Sequence, residues 1–316
     1  MNKKLLFIYN PNSGKQMISK KLADIVDLYT KLGYDVTCHP TQARCDCMNT
    51  VAECCRLYDK LVISGGDGTL NEAVNGMMSA GFDGNFGYIP CGSTNDFSHS
   101  VGIPTKIMTA AETAISGIPF RCDMGRLQER YFTYVAGFGT LTEVSYSTPQ
   151  DVKNSLGFAA YILEGIAALP TITSFKISFE SEERCGQGEY LLGLITNTVH
   201  VAGFKSLISD SVMLDDGLFE VLLVRKPKNA ADLNKIIAAV LKKEYDNEFI
   251  DCFKTSKITI RSEAPLAWTL DGENGGEHTV SVIENFPRAL GVMVAKPKTA
   301  SDAGTNADTN TDSDLK

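Results

Sequence analysis

The stretch VISGGDGTLNEAVNG, residues 62–76, joins an apolar run to a glycine-rich turn and then to a helical pattern. Polar side chains interrupt and follow the glycines: Asp67, Thr69, Asn71 and Glu72. Glycines let a backbone adopt positive φ and approach a ligand closely. Asp67 and Thr69 could instead cap the helix, but a cap alone does not require an aspartate between glycines. The stretch therefore predicts a ligand site where a strand passes into a helix.

Strands and helices alternate on both sides of this stretch. Apolar strand patterns begin at Lys3, Asp59 and Asn85, and segments with helical periodicity lie between them. This alternation is typical of a parallel sheet that is covered by helices on both faces. The sequence therefore predicts the α/β fold class for the N-terminal part.

The pattern changes after residue 127, where β-like segments follow one another with few helices. This favours an antiparallel β-sandwich or barrel-like second domain. Helical patterns at 156–169 and 230–243 interrupt it, either packed on the sandwich or resting on a membrane surface. We place the boundaries at 1–125, 126–287, a terminal strand at 288–298 that could return to the first domain, and a tail at 299–316.

Composition limits the classes of function. The chain of 316 residues carries a net charge of −8 and has no basic stripe, which argues against nucleic acid as a partner. No apolar run approaches the length of a membrane span, and the N-terminal apolar run is too short for a signal peptide, so we expect a cytoplasmic protein. The acidic tail lacks aromatic residues and is expected to be disordered.

The nine cysteines are irregularly spaced and do not form the paired spacing of a zinc site. His39 lies near Cys45 and Cys47, so a metal cluster there is conceivable. Reduced, partly buried thiols are the favoured interpretation.

Two further polar turns follow strand patterns. NPNSGK, residues 10–15, precedes a helix whose start would favour an anion, although Ser13 could be a simple N-cap. It lacks the spacing of a Walker A motif. PCGSTNDF, residues 90–97, clusters hydroxyl and carboxylate groups after the next strand. The carboxyl ends of neighbouring parallel strands face one crevice, so these turns predict a shared site.

Two acidic turns lie in the second half of the chain. In WTLDGENGG, Asp271 and Glu273 would project to the same side of an extended chain and could serve as a general base with a partner. In MLDDGLF, Asp215 and Asp216 could bind Mg²⁺ or Ca²⁺ together with nearby carbonyls. Taken alone, both stretches favour ordinary Asp-Gly turns over a catalytic or metal site.

In this order, and with nearly the same gaps, these motifs resemble the soluble bacterial diacylglycerol kinases, a branch of the lipid kinases with a diacylglycerol-kinase catalytic domain. The likeness runs from about Lys4 to Lys296 and also includes DMG at 123–125. It implies ATP-dependent phosphorylation of diacylglycerol to phosphatidic acid. It also implies a nucleotide-binding α/β domain like those of phosphofructokinases and NAD kinases, followed by a lipid-binding β-sandwich.

The resemblance assigns a role to particular residues. ATP would be contacted by Asn10, Pro11, Asn12, Ser13, Gly14, Thr41, Gly66, Asp67, Gly68, Thr69, Leu70, Asn71, Glu72 and Ser93. Asp67, Asp96 and Asp123 would form a magnesium–water–carboxylate network. Asp271 and Glu273 would be the catalytic carboxylates, one of them accepting a proton. A structural Mg²⁺ would lie at Asp216, with the carbonyls of Met213 and Leu218.

The partners follow from the same resemblance. We expect diacylglycerol as substrate and peripheral contact with lipids at the inner membrane surface, and the sequence leaves a homodimer open. A kinase for another lipid alcohol, such as a sphingoid base, ceramide or isoprenoid alcohol, is the nearest alternative. A non-catalytic nucleotide sensor is another, which the intact carboxylate pair disfavours. NAD kinases and phosphofructokinases share GGDGT but lack the later acidic turns.

Overall fold

A computed structural model of the chain describes residues 2–139, 173–198, 200–201, 204–205, 213–242, 244–245 and 247–296. The helix predicted at 156–169 and the tail at 299–316 lie outside these residues. Within the described part, no helix is both long enough and apolar enough to cross a membrane.

The first half of the chain alternates strands and helices. Its elements are β1 (Lys3–Tyr9), α1 (Met17–Lys31), β2 (Tyr34–Pro40), α2 (Asp46–Cys54), β3 (Lys60–Gly65), α3 (Asp67–Ser79), β4 (Asn85–Pro90), α4 (Asp96–Val101), α5 (Ile107–Ser116) and β5 (Ile118–Leu127). The helix α4 begins at Asp96, inside the turn that the sequence predicted as a loop.

The second half is rich in strands. Its described elements are β6 (Arg130–Phe132), β7 (Val135–Gly139), β8 (Phe175–Ser181), β9 (Cys185–Thr196), β10 (His200–Val201), β11 (Phe204–Lys205), β12 (Phe219–Arg225), α6 (Ala230–Lys242), β13 (Ile250–Thr255), β14 (Lys257–Leu270) and β15 (Glu273–Val294).

The mixed α/β class predicted from the sequence is confirmed. β1 pairs in parallel with β2 and β3, and β3 pairs in parallel with β4. The expectation of a purely parallel first sheet needs correction, because β15 pairs in parallel with β4 and antiparallel with β5 and β14. Thirteen of the described strands therefore belong to one continuous mixed sheet.

Apolar side chains of the N-terminal strands and helices form the first core. The strands β1 and β3 contribute fully buried residues such as Phe7 and Ile63, and α1 buries Ile18, Ile25 and Tyr29 on one face. Complete burial of such side chains stabilises the fold by about 1.5–3 kcal/mol each. The core therefore holds the carboxyl ends of the parallel strands rigidly at one edge of the sheet.

The strand-rich half closes around a second core. Phe132 of β6 stacks on Phe219 of β12 with ring centroids 5.7 Å apart, which joins distant strands of the curved sheet. Helix α6 packs Leu233 and Ile236 against a third cluster on the other face of β9 and β12. The apolar side of α6 is therefore occupied by the sheet itself.

The connection between β14 and β15 brings the acidic turn back to the first half. The amide of Asp271 donates to the carbonyl of Val135 at 2.9 Å, and Asp271 has a φ of 51°. This left-handed conformation, which aspartate tolerates better than most residues, turns the chain sharply. As a result, the start of β15 lies beside the glycine turn of α3.

Candidate active site

A cavity of about 980 Å³ lies between the carboxyl ends of the parallel strands and the start of β15. Ten of the predicted site residues line it: Asn10, Asn12, Ser13, Thr41, Gly66, Gly68, Thr69, Asn71, Glu72 and Glu273. The structure thus brings four separated segments of the sequence to one cavity.

The first polar turn is tied to the glycine turn by side-chain hydrogen bonds. Asn10 donates from Nδ2 to Thr69 Oγ1 at 3.3 Å, and Ser13 Oγ accepts from the amide of Gly66 at 3.3 Å. Ser13 is not the N-cap of α1, since that position belongs to Gln16 and makes no side-chain cap. The two turns therefore form one joint surface.

The glycine turn begins α3 without a side-chain cap, because Gly66 occupies the N-cap position. Asp67 and Thr69 therefore do not cap α3, and that alternative is wrong. The exposed amides at this helix start, and the helix dipole, favour an anion. The start of α3 is therefore a place where an anion could bind.

The turns after β3 and β4 lie in contact. A Cβ atom added at Gly92 would lie 2.7 Å from the Cα atom of Gly66, so only glycine permits this approach. Thr94 donates from Oγ1 to Asp67 Oδ2 at 3.0 Å. The two turns are therefore in contact, but no residue of 90–97 lines the cavity, so a crevice shared by both turns stays a prediction.

Asp67 lies between these turns, and its carboxyl group is largely buried. Burial raises the pKa of its carboxyl, while Thr94 and the nearby amides of residues 95–97 partly offset this rise. Its Oδ1 atom is buried and makes no hydrogen bond within the described part of the chain. A buried carboxylate oxygen without a well-aligned hydrogen bond, beside the glycine turn, fits a Mg²⁺ ion or a metal-bound water.

Asp271 is buried and saturated with hydrogen bonds. Its carboxylate accepts from the amides of Thr133, Tyr134 and Val135 at 2.7–3.1 Å, from the Thr133 hydroxyl at 2.9 Å and from Asn71 at 2.8 Å. Burial raises its pKa and these donors oppose the rise. Such a carboxylate has no free lone pair directed at the cavity, and it orders the chain around it.

Glu273 has a different environment from Asp271. Its side chain is 44% exposed and lines the cavity. Its Oε1 atom would lie 3.0 Å from a Cβ atom added at Gly68, so the carboxylate lies close to the glycine turn. Arg44 contacts Oε2 at 3.4 Å. Glu273 is therefore the member of the acidic pair that can accept a proton from a molecule in the cavity.

Asp96 and Asp123 are buried outside the lining of the cavity. Asp123 accepts from the amides of Gly217 and Arg288, each at 2.7 Å, and burial raises its pKa. Within the described residues, no three His, Cys, Asp or Glu side chains are placed to hold a metal directly. A network through Asp67, Asp96 and Asp123 would therefore require bridging water molecules.

Asp216 was predicted to hold a structural Mg²⁺, and both of its carboxylate oxygens already have partners. Its Oδ1 accepts from the amide of Leu218 at 3.0 Å, and its Oδ2 lies 3.4 Å from Lys254 Nζ. Lys254 also lies 3.0 Å from the buried carboxylate of Glu220. The Lys254 ammonium would therefore compete with a metal ion for the Asp216 carboxylate, and Met213 is mostly exposed. A structural Mg²⁺ at Asp216 stays a prediction.

Five predicted contacts with ATP lie off the cavity wall: Pro11, Gly14, Asp67, Leu70 and Ser93. The side chain of Leu70 is fully buried in the core, and its amide donates to Gly66 within the helix. Ser93 is exposed on the loop before α4. Gly14 has a φ of 53° and abuts the carbonyl of Cys91, so its contribution is to the shape of the turn.

The sequence did not predict several residues that line the cavity: Arg44, Met48, Asn75, Arg130 and Tyr131. Arg44 follows β2, and a strand-end position in a parallel sheet is a signal that could have found it. Arg130 and Tyr131 lie on the β5–β6 hairpin, which reaches the cavity through tertiary folding alone.

Residues 4–127 match the family profile of the diacylglycerol kinase catalytic domain. This segment contains the first polar turn and the glycine turn, which line the cavity, and the turn after β4, which contacts the glycine turn. The match identifies the class of this protein: it contains a diacylglycerol kinase catalytic domain.

Relatives match over nearly the whole chain. The diacylglycerol kinase of Bacillus subtilis (strain 168) is 34% identical over 299 residues, covering 94% of this chain and 98% of the relative. The diacylglycerol kinase of Staphylococcus aureus (strain JH9) is 36% identical over 295 residues, covering 93% of each. This chain therefore belongs to the diacylglycerol kinase family, and the resemblance seen in the motifs is confirmed.

Solved structures share the fold. The crystal structure of a diacylglycerol kinase from Bacillus anthracis str. Sterne superposes with a TM-score of 0.71 at 21% identity, covering 93% of this chain and 97% of that chain. Another structure from the same organism gives a TM-score of 0.77 at 24% identity, with 93% and 95% covered.

Proposed function

We propose that this protein transfers the terminal phosphoryl group of ATP to the free hydroxyl of diacylglycerol, giving phosphatidic acid. Membership of the diacylglycerol kinase family supports the substrate. The observation that carries the proposal is the cavity itself, in which a glycine turn at a helix start faces the exposed carboxylate of Glu273.

The nucleotide would lie with its phosphates on the joint surface of the first polar turn and the glycine turn. Gly66, Gly68 and Thr69 line the cavity at the start of α3, where the helix dipole favours negative charge. Mg²⁺, held near Asp67 through the orphaned Oδ1 atom, would neutralise charge on the phosphate oxygens. Phosphoryl transfer depends mainly on such positioning and charge stabilisation.

Glu273 would accept the proton of the lipid hydroxyl as the bond to phosphorus forms. Its exposed carboxylate, in contact with the glycine turn, supports this role. Asp271 would act as a positioning residue, because five donors already occupy its oxygens and fix the turn that carries Glu273.

The two halves of the chain would have different functions. We propose that residues 1–125 bind ATP, on a fold akin to phosphofructokinases and NAD kinases, that 126–287 form a lipid-binding β-sandwich, and that 288–298 return to the first half. The parallel pairing of Gly291 and Val292 with β4 supports the last point. The enzyme would act in the cytoplasm, touching the inner membrane surface where its lipid substrate resides.

The test is transfer of label from γ-labelled ATP to lipid in vesicles that contain Mg²⁺ and diacylglycerol. Parallel vesicles would carry a sphingoid base, ceramide or an isoprenoid alcohol, with products separated by thin-layer chromatography. We expect label in phosphatidic acid, dependent on Mg²⁺, and none with Glu273→Gln. Label in another lipid would replace diacylglycerol as the substrate. Nucleotide binding without any labelled lipid would favour a nucleotide sensor.

A further inference from the structure

The described wall of the cavity carries both acidic and basic side chains. Its charged members are Arg44, Arg130, Glu72, Glu129 and Glu273. Arg130 donates to the backbone carbonyl of Asn274 and is thus engaged in holding β15. Within the described part of the chain, Glu273 is the one hydrogen-bond or ion-pair partner of the Arg44 guanidinium. Arg44 is therefore the cation of this wall that can respond to an anionic ligand.

The backbone around Arg44 is fixed. Cys45 has a φ of 67° and donates its amide to Glu72 Oε1 at 2.8 Å. The amide of Gln42 donates to Asp46 Oδ2 at 2.7 Å. These bonds anchor the loop to α2 and α3 on both sides of Arg44. The Arg44 side chain itself is 69% exposed, so its guanidinium can move while its Cα atom remains in place.

The contact between Arg44 and Glu273 is weak and readily exchanged. Its length of 3.4 Å exceeds that of a strong charge-assisted hydrogen bond, about 2.7–2.9 Å. Exposed ion pairs contribute little, because water screens them and two side chains must be ordered. A triphosphate offers a planar guanidinium more negative charge and bidentate geometry. A nucleotide in the cavity would therefore compete for Arg44.

We propose that Arg44 exchanges between two anionic partners: it holds Glu273 in the nucleotide-free protein and binds the terminal phosphate of the nucleotide during the reaction. The exchange leaves the Glu273 carboxylate free for the hydroxyl proton. It also brings a cation to the phosphoryl group as charge develops there. This inference rests on the proposed function, since it requires phosphoryl transfer in this cavity.

Binding of a non-hydrolysable ATP analogue with Mg²⁺, measured by calorimetry, tests the phosphate contact. We expect Arg44→Met to weaken binding by about tenfold or more, the loss typical of a charge-assisted hydrogen bond. Arg44→Lys should fall between this variant and the wild type, because lysine keeps the charge but loses the fork. Arg261→Met, at an exposed arginine of β14 outside this cavity, is the matched control and should bind as the wild type does. Equal melting temperatures would show that all variants are folded.

A double-mutant cycle tests the exchange itself. Glu273→Gln frees Arg44 and should tighten nucleotide binding by about two- to fivefold, the strength of an exposed ion pair. The double variant should bind like Arg44→Met alone, within about twofold, because the gain depends on Arg44. In turnover, Arg44→Met should raise the KM for ATP and lower kcat while the KM for lipid stays unchanged.

The outcomes separate this inference from the proposed function. If the wild type binds nucleotide and Arg44→Met binds it equally well, Arg44 does not touch phosphate and the inference is wrong. If the two substitutions act additively, the exchange is wrong. A wild type that binds no nucleotide would overturn both proposals. A wild type that phosphorylates a different lipid would change only the proposed substrate.

Discussion

The side-chain amide of Asn71 donates a hydrogen bond of 2.8 Å to the carboxylate of Asp271, and both residues are buried. Asn71 lies in the first turns of α3, and Asp271 forms the turn between β14 and β15. This bond joins the glycine turn to the acidic turn although the two residues lie 200 positions apart. The bond therefore helps to fix the distance between the glycine turn and Glu273.

Asn71→Ala should destabilise the protein and impair catalysis. The change leaves a buried carboxylate without one of its donors, which costs about 1–3 kcal/mol of the free energy of unfolding. We expect kcat to fall as well, because Glu273 follows directly on the turn that loosens. Denaturant unfolding and initial rates measure both effects.

Asn2→Ala is the matched control for this prediction. Asn2 makes the same type of bond, from Nδ2 to Asp35 at 2.9 Å, but at an exposed site. Its loss should change the free energy of unfolding by less than about 0.5 kcal/mol. Equal effects of both substitutions would show that burial does not strengthen the bond between the two turns.

Glu273→Gln should abolish turnover but leave nucleotide binding measurable. Loss of a general base lowers rates by about 10²–10⁴-fold, and glutamine keeps the shape of the side chain. The control is Glu277→Gln, an exposed glutamate further along β15, which should retain normal rates. Near-normal turnover of Glu273→Gln would remove this residue from the role of proton acceptor.

The sequence predicted the local features of the site better than its three-dimensional assembly. The glycines of residues 65–68 and the polar turn at 10–14 follow strand patterns, and the general rule for parallel sheets places both at one edge. The structure has them in contact through Ser13 and Gly66. This contact between the two turns follows from local conformation and from the order of strands in the sheet. Both can be predicted from the pattern of apolar and polar residues.

The division of roles between Asp271 and Glu273 could not be predicted from sequence. Both are carboxylates with the same spacing from a glycine, and their spacing predicts that they face the same side. In the structure, the left-handed turn at Asp271 breaks that alternation, so one carboxylate is buried and the other is exposed. The hydrogen bonds to Asp271 depend on residues 133–135, between β6 and the start of β7, which supply donors from more than a hundred positions away.

The continuous sheet was missed for a related reason. β15 was predicted in pieces, as an acidic turn and a separate terminal strand at 288–298. It is one element, Glu273–Val294, whose two ends pair with different halves of the chain. The alternation of apolar and polar residues along a strand indicates which side chains share a face. It does not indicate which strands pair with it.

Gly14→Ala should disrupt the first polar turn. An added Cβ atom would lie 2.3 Å from the carbonyl oxygen of Cys91, and the φ of 53° already disfavours alanine. We expect a loss of at least about 2 kcal/mol in the free energy of unfolding, with weaker nucleotide binding. Thermal unfolding and calorimetric titration measure these changes.

Gly33→Ala is the control that separates backbone strain at a positive φ from a steric clash of the added Cβ atom. Gly33 has a φ of 85° but no described atom within 4 Å of an added Cβ atom. It should cost only the strain of a left-handed residue, about 1–2 kcal/mol, with nucleotide binding unchanged. Equal nucleotide affinity of the Gly14 and Gly33 variants would refute the importance of the contact with Cys91.

Asp216→Ala should lower thermal stability and remove its dependence on Mg²⁺. An ion that binds only the folded protein stabilises it by mass action, so EDTA should lower the wild-type melting temperature. The variant should melt several degrees lower, about 2–4 °C for each kcal/mol lost, and should not respond to EDTA. Asp215→Ala, which loses a pair with Arg288 at 3.2 Å, should keep the response. An unchanged melting temperature of Asp216→Ala would show that no structural ion binds there.

Lys60→Met should change how stability depends on pH. Burial lowers the pKa of Lys60 from its ordinary 10.5 to about 8. The unfolded chain therefore binds the proton more tightly than the folded protein, and wild-type stability should rise as pH increases from about 8 to 10.5. Methionine has no charge to desolvate, so the variant should lack this rise in the free energy of unfolding, which we expect to be about 2 kcal/mol.

Denaturant unfolding at several pH values measures the free energy of unfolding of both proteins. Lys31→Met, at an exposed lysine, is the control, and its curve should run parallel to that of the wild type. Parallel curves for wild type and Lys60→Met would mean that folding does not desolvate the Lys60 ammonium group.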